Sequence, residues 1–190
     1  MSNLQLPPSI VFLGGFAMDR LKDIQWNPAA FDLLTIQQDQ KDLFYALINQ
    51  HNKRKTFDDI ITGKGKGLVS LFCGRPGCGK TLTAEAIAEV CQLPLYVVTA
   101  GELGIEPNAL DKRLEDIFET ARLWNTVVLL DEAEVFLQAR TTSNIKRNAL
   151  VSIFLRQLEY YQGILILTTN LLDQCDPAFE SRLLRLRSSC

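Results

Sequence analysis

The chain has 190 residues, of which 47% are apolar and 22% charged, enough to bury one sizeable core. Its 20 basic and 22 acidic side chains leave a formal charge of −2, with no basic stripe interleaved with aromatics, so a nucleic-acid surface is disfavoured. The cysteines at 73, 78, 91, 175 and 190 include no CxxC pair, and the single histidine, His51, is far from all of them; this disfavours zinc and points to a reduced intracellular compartment, the cytoplasm.

Residues 1–36 are apolar pieces separated by Pro7-Pro8, Gly14-Gly15 and Pro28. The run "IVFLGGFAM" (Ile10 to Met18) is too short to span a bilayer and lacks the basic leader of a signal peptide, so it reads as a buried strand or loop and no membrane span is expected. "WNPAAFDLL" gathers Trp26, Phe31 and Leu34 into a segment suited to packing on a larger body. Helical periodicity runs from Gln37 to Gln50, with Leu43, Phe44, Leu47 and Ile48 on one face. The polar, glycine-rich stretch His51 to Gly67 then reads as a connection, its lysines solvated.

From Leu68 the pattern alternates. "LVSLFC" (68–73) is a strand, and Lys80 to Cys91 is a helix with Leu82, Ala86, Ile87 and Val90 inward, ended by Pro94. "LYVVTA" (95–100) is a strand, followed by a helix over 108–124 with Leu110, Leu114, Ile117, Phe118, Ala121 and Trp124 along one stripe. "VVLLD" (127–131) is an apolar strand ending in a carboxylate. A helix over 145–161 stops at Gly163, and "ILILTT" (164–169) is another central strand. Cys73 and Cys91 read as small core residues. Strands apolar on both faces and alternating with helices specify an α/β fold, a parallel sheet covered on both sides, with ligands beyond the carboxyl ends of its strands.

The polar clusters fall at those ends. "GRPGCGKT" (Gly74 to Thr81) fits G-x-x-x-x-G-K-[ST] between a strand and a helix. Its glycines allow backbone N–H groups to converge on a phosphate, and the helix adds its positive end. Lys80 supplies a cation for the β- and γ-phosphates, and the Thr81 hydroxyl can ligate Mg²⁺. A guanine-reading Asn-Lys-x-Asp is missing; the nearest string, "NKRK" (Asn52 to Lys55), lacks the aspartate and precedes the cradle. At the tip of "VVLLDEAE", Asp131 can hold the metal and Glu132 can act as general base toward water. Asn170 ends "LTTN"; it can orient that water if its strand lies beside the cradle strand, and otherwise reads as an ordinary turn residue. "DPAFESR" (Asp176 to Arg182) is a short helical segment whose Arg182 reads locally as a surface residue and in a neighbouring site as a charge stabiliser.

In this order, the four motifs resemble those of the AAA+ ATPases, specifically the AAA clade, from about Phe57 to Arg182. "GRPGCGKT" resembles the Walker A motif, "VVLLDE" Walker B, "LTTN" sensor 1 and "DPAFESR" the arginine-finger segment. "WNPAAFDLL", "GKGKG" and "RNALVSIFLRQLEYYQGIL" further resemble a group of fungal AAA proteins. The resemblance implies a P-loop NTPase-type parallel sheet of order 5-1-4-3-2. It implies ATP and Mg²⁺ as ligands, with nucleotide contacts across Gly74, Pro76, Gly77, Cys78, Gly79, Lys80, Thr81, Leu82 and Asp131, and metal ligation by Thr81 and Asp131. It makes Lys80, Glu132, Asn170 and Arg182 the catalytic set, implies a homo-oligomeric ring with Arg182 acting in trans, and places the adenine near Asp59 to Gly63.

Several features depart from that pattern. Arg75 and Cys78 stand where Pro and Thr or Val are common, and Cys78 reads as filler in preference to a redox group. The loop "TAGELGIEPN" (Thr99 to Asn108) has no aromatic where protein-threading members carry one, which disfavours translocation. After Arg182 only "LLRLRSSC" remains, with Leu183 to Arg187 as a fifth strand and nothing for the helical lid or its sensor 2 arginine. The expected organisation is an N-terminal extension (1–56) and an ATPase core (57–190) ending before the lid. Mg-dependent ATP hydrolysis is the leading reading; a module that binds ATP without hydrolysing it and a small-molecule kinase are the alternatives, and the protein substrate is not specified.

Overall fold

The computed structural model describes residues 23–34, 36–54, 67–141, 144–171, 175–179 and 183–187. The expectations for Ile10 to Met18, Asp59 to Gly63 and Arg182, and for the side chains of Leu47 and Ile48, lie outside the described residues.

Five strands form one parallel sheet: β1 (Leu68–Cys73), β2 (Leu95–Thr99), β3 (Val127–Asp131), β4 (Ile164–Thr169) and β5 (Leu184–Arg187). Their order is β2-β3-β4-β1-β5, the 5-1-4-3-2 arrangement read from the opposite edge. The helices are α1 (Gln38–Arg54), α2 (Lys80–Cys91), α3 (Ala100–Leu103), α4 (Pro107–Trp124), α5 (Glu134–Leu137) and α6 (Ile145–Tyr160). The period-2 alternation of the strands divides their apolar residues between two faces. Val69, Leu71, Val128, Leu130, Leu165 and Leu167 join the core built with α4, α5 and α6. Phe72, Val127, Leu129, Ile164 and Ile166 join the opposite core, which α2 and Phe44 of α1 complete. Burial on both faces is why the three central strands read as continuous apolar runs.

The segment before the sheet is packed onto this second face. Phe31 and Phe44 are buried, their rings 6.2 Å apart, and Phe44 lies 5.6 Å from Phe72 of β1. Lys41 Nζ donates to the Asp32 carbonyl at 2.7 Å and the Asn27 N–H to Glu89 of α2 at 2.7 Å. Trp26 and Leu34 are half-buried in the same region. Helix α1 continues through Arg54, so His51 to Arg54 belong to it and not to the connection expected there.

Three expectations about individual residues change. Leu43, expected on one face of α1 with Phe44, is 40% exposed while Phe44 is buried. Leu82, in the first turn of α2, is 58% exposed, and the buried positions of the helix are Thr83, Ala84, Ala86, Ile87 and Ala88. Gly163 is not a left-handed helix stop, because α6 ends at Tyr160 and its cap, Tyr161, is extended. Glycine is needed at 163 for space. A Cβ there would stand 2.4 Å from the Tyr161 hydroxyl and 2.7 Å from its ring. That ring is held, buried against Phe118 at 4.4 Å, with its hydroxyl donating to the Ile164 carbonyl at 3.3 Å. Burial pushes the phenol pKa well above its ordinary value. Gly163→Ala should therefore lower unfolding free energy by about 1–3 kcal/mol. Urea denaturation checks this, and an unchanged midpoint would contradict the steric account.

Candidate functional site

The loop from Gly74 to Gly79 joins the carboxyl end of β1 to the amino end of α2. Gly77 and Gly79 adopt φ of 81° and 80°, and a Cβ at either would meet nothing within 4 Å, so glycine serves backbone conformation here and not space. Gly79 is the N-cap of α2 and offers no side-chain acceptor, and the first turn has no acidic residue. The first N–H groups of α2 are thus left for an external anion, with the helix dipole adding to them.

Lys80 Nζ donates to the carbonyls of Gly74 at 2.9 Å and Arg75 at 3.0 Å, and to Asn170 Oδ1 at 3.0 Å; Cys78 Sγ lies 4.0 Å away. Asn170 directly follows β4, and β4 pairs with β1 up to Cys73 and Thr169. The expected adjacency of the two strands is thus present, and the asparagine reaches the cradle lysine.

Thr81 Oγ1 donates to Asp131 Oδ2 at 3.2 Å, which joins the first turn of α2 to the end of β3. The β3–β4 ladder stops at Leu130 and Leu167, and side chains take over beyond it. Thr168, 1% exposed, donates its hydroxyl proton to Asp131 Oδ1 and accepts from the Glu132 N–H at 3.1 Å. The Ala133 N–H reaches the Thr168 carbonyl at 2.9 Å, and Glu134 Oε1 accepts from the Asn170 N–H at 2.6 Å. Glu132 itself is exposed, with φ of 58°, a left-handed conformation that costs a non-glycine residue about 1–2 kcal/mol. The hydrogen bonds on either side of it hold that turn.

Lys80, Thr81, Asp131, Glu132 and Asn170 thus sit at one end of the sheet. The loop residues Gly74, Pro76, Gly77, Cys78 and Gly79 frame it, and Leu82 lies on the exposed side of α2. Among the described residues no cluster of three or more His, Cys, Asp or Glu could hold a metal by itself. A Thr hydroxyl beside one carboxylate suits Mg²⁺, which takes few protein ligands and completes its shell with water and phosphate oxygens. Thr168 and Glu134 were not singled out in the sequence. The visible signals were a hydroxyl inside an apolar strand and a third acid, two residues after Glu132 in "DEAE".

Asp176, the start of the "DPAFESR" segment, is 3% exposed and accepts from Arg140 N at 3.1 Å, Arg140 Nε at 2.8 Å and Arg140 Nη2 at 3.3 Å, and from the Ala178 N–H at 2.9 Å. Burial pushes its carboxyl up, but these hydrogen bonds and the guanidinium charge outweigh it, leaving the pKa below the ordinary carboxylate value. The segment begins with a 3-10 turn, Pro177–Phe179, anchored by buried Phe179. Arg182 is three residues past that turn and outside the described residues.

Because the Thr168 hydroxyl satisfies one group and holds another, Thr168→Val should orphan the Glu132 N–H and release Asp131. The expected loss is about 1–3 kcal/mol in chemical denaturation, and a loss under a few tenths would show that the hydroxyl does not hold the turn.

Residues 70–188 match the family described as ATPase family associated with various cellular activities (AAA). An uncharacterised AAA family ATPase, y4kL, from Sinorhizobium fredii is 36% identical over 118 residues, 59% of this chain and 36% of that protein. The ATP-dependent zinc metalloprotease FtsH of Acholeplasma laidlawii is 27% identical over 175 residues, 86% of this chain and 27% of that protein. The peroxisomal ATPase PEX6 of Arabidopsis thaliana is 31% identical over 131 residues, 64% of this chain and 14% of its own length. The chain therefore spans about a third of y4kL and less of the other two. The match covers β2 to β5, β1 from Ser70 onward, the cradle, Asp131 and Asn170, and on that ground the chain belongs to the AAA family of ATPases.

Proposed function

We propose that this chain binds Mg–ATP at the carboxyl edge of its sheet and hydrolyses the γ-phosphate. One observation carries the reading: the cradle lysine, the hydroxyl–carboxylate pair and the asparagine are joined by hydrogen bonds across three strand ends. The first N–H groups of α2 and Lys80 would bind the phosphates; a phosphate oxygen is a stronger, charge-assisted partner for the ammonium than the neutral acceptors it would replace. Thr81 and Asp131 would hold Mg²⁺, which neutralises charge on the phosphate oxygens when bound. Glu132, exposed at the turn after Asp131, would take the proton from the attacking water, and Asn170 would orient that water. The nucleotide contacts assigned to Pro76, Cys78 and Leu82 belong to the same proposal, as does an adenine pocket near Asp59 to Gly63.

AAA family members are usually oligomeric, and Arg182 is the candidate for charge stabilisation in a neighbour's site. The same reading divides the chain into an N-terminal extension, 1–56, and an ATPase core, 57–190. Among the described residues no helix is long and apolar enough to cross a membrane, and a cytoplasmic location is proposed on the cysteine pattern.

The first variant to make is Glu132→Gln. It keeps the size of the side chain and the cradle but removes the base, so ATP affinity should stay within about twofold while phosphate release falls at least about a hundredfold. Fluorescent-nucleotide titration and phosphate release measure the two quantities. Wild-type turnover in this variant would remove Glu132 from the mechanism.

A further inference from the structure

The polypeptide beyond β3 is tied to the tip of β4 at three points. At two of them the turn donates to Thr168; at the third the direction reverses and Glu134 accepts from the backbone of Asn170. The Asn170 N–H lies past the last β1–β4 pair, Cys73 with Thr169, and past the last β3–β4 pair, Leu130 with Leu167. No ladder acceptor is in register for it, and the Glu134 carboxylate takes that place at 2.6 Å, a charge-assisted length. The same residue is held from the other side, since its carboxamide oxygen accepts from Lys80 at 3.0 Å. Glu134, Asn170 and Lys80 therefore form a continuous hydrogen-bonded path from the Glu132 turn to the cradle. Among the described residues, the adjacent Gly74 N–H and Leu171 N–H both bond to Thr169, at 3.3 Å and 3.0 Å, and not to Asn170.

We propose that Glu134 is a positioning residue for hydrolysis: its carboxylate fixes the Asn170 peptide so that the carboxamide faces Lys80 and the γ-phosphate it would hold. The role rests on the ATP-site reading above. In this role Glu134 acts through Asn170, whose N–H it accepts. A bland alternative is an acid at the start of α5, four residues long, that does no more than favour that helix end. The two differ in what Glu134→Gln does, because an amide oxygen still accepts the Asn170 N–H but carries no charge for a helix dipole.

The test compares Glu134→Ala and Glu134→Gln in the full chain, alone and combined with Asn170→Ala. Glu134→Ala should lower phosphate release about tenfold with ATP affinity kept within about twofold, and Glu134→Gln should retain most of the turnover. On the Asn170→Ala background the further loss from Glu134→Ala should be less than about twofold, because the two substitutions break one path. Amide hydrogen exchange at Asn170, which needs no turnover, should accelerate in Glu134→Ala and not in Glu134→Gln. Full turnover in Glu134→Ala, additive losses in the double variant, or unchanged exchange at Asn170 would each overturn the role. A wild-type chain that releases no phosphate would instead reject the hydrolase reading, and the exchange measurement would still decide whether Glu134 holds Asn170.

Discussion

Lys80 introduces a full positive charge and three N–H donors between the ends of two strands, and the site is organised around satisfying them. Two acceptors are carbonyls of its own loop and the third is the Asn170 carboxamide, ninety residues away in sequence. That third bond exists only because β4 is inserted beside β1, in parallel and in register to Cys73 and Thr169. A sheet that ran in simple sequence order would place β2 there and strand the asparagine. The crossover topology, itself set by strands apolar on both faces and helices on each side, is what makes a local cradle into a site spanning three strand ends.

The second requirement is to turn the chain sharply after β3 without losing Asp131. The ladder ends one residue before the aspartate, and the buried Thr168 hydroxyl replaces it by donating to Asp131 and accepting from Glu132. A hydroxyl is suited to this because it is both a donor and an acceptor at one atom. The left-handed Glu132 is the conformational cost of the turn, tolerated because both flanks are pinned. Farther out, Arg140 and Asp176 tie the chain following α5 to the start of the "DPAFESR" segment, reinforced by the antiparallel bridge between Gln138 and Cys175. Rigid strand ends and short side-chain ties thus fix the polar groups.

The sequence made much of this legible. Strand runs such as "VVLLD" and "ILILTT" appear almost to the residue, since burial on both faces leaves an unbroken apolar signature. The cradle was legible because its glycines are demanded by backbone conformation, a local property. Asn170 was ambiguous by its neighbours alone; only the strand order separates a turn residue from a ligand of Lys80. Thr168 and Glu134 are hard to read for the same reason, as their partners lie 36 or 37 residues away and follow from register, not from spacing. Leu82 and Gly163 went differently than expected on finer grounds. A helical stripe of alanines can pack closer to a sheet than leucine, and a glycine after a helix can be there for a tyrosine ring beside it.

In the proposed function this edge of the sheet hydrolyses ATP, in assemblies where one chain completes the site of the next. Phosphate release from Mg–ATP, per mole of chain, over about a hundredfold range of protein concentration tests it most directly. Release that rises with concentration is the predicted result. No release at any concentration would contradict the claim, leaving a cradle that holds nucleotide without turning it over.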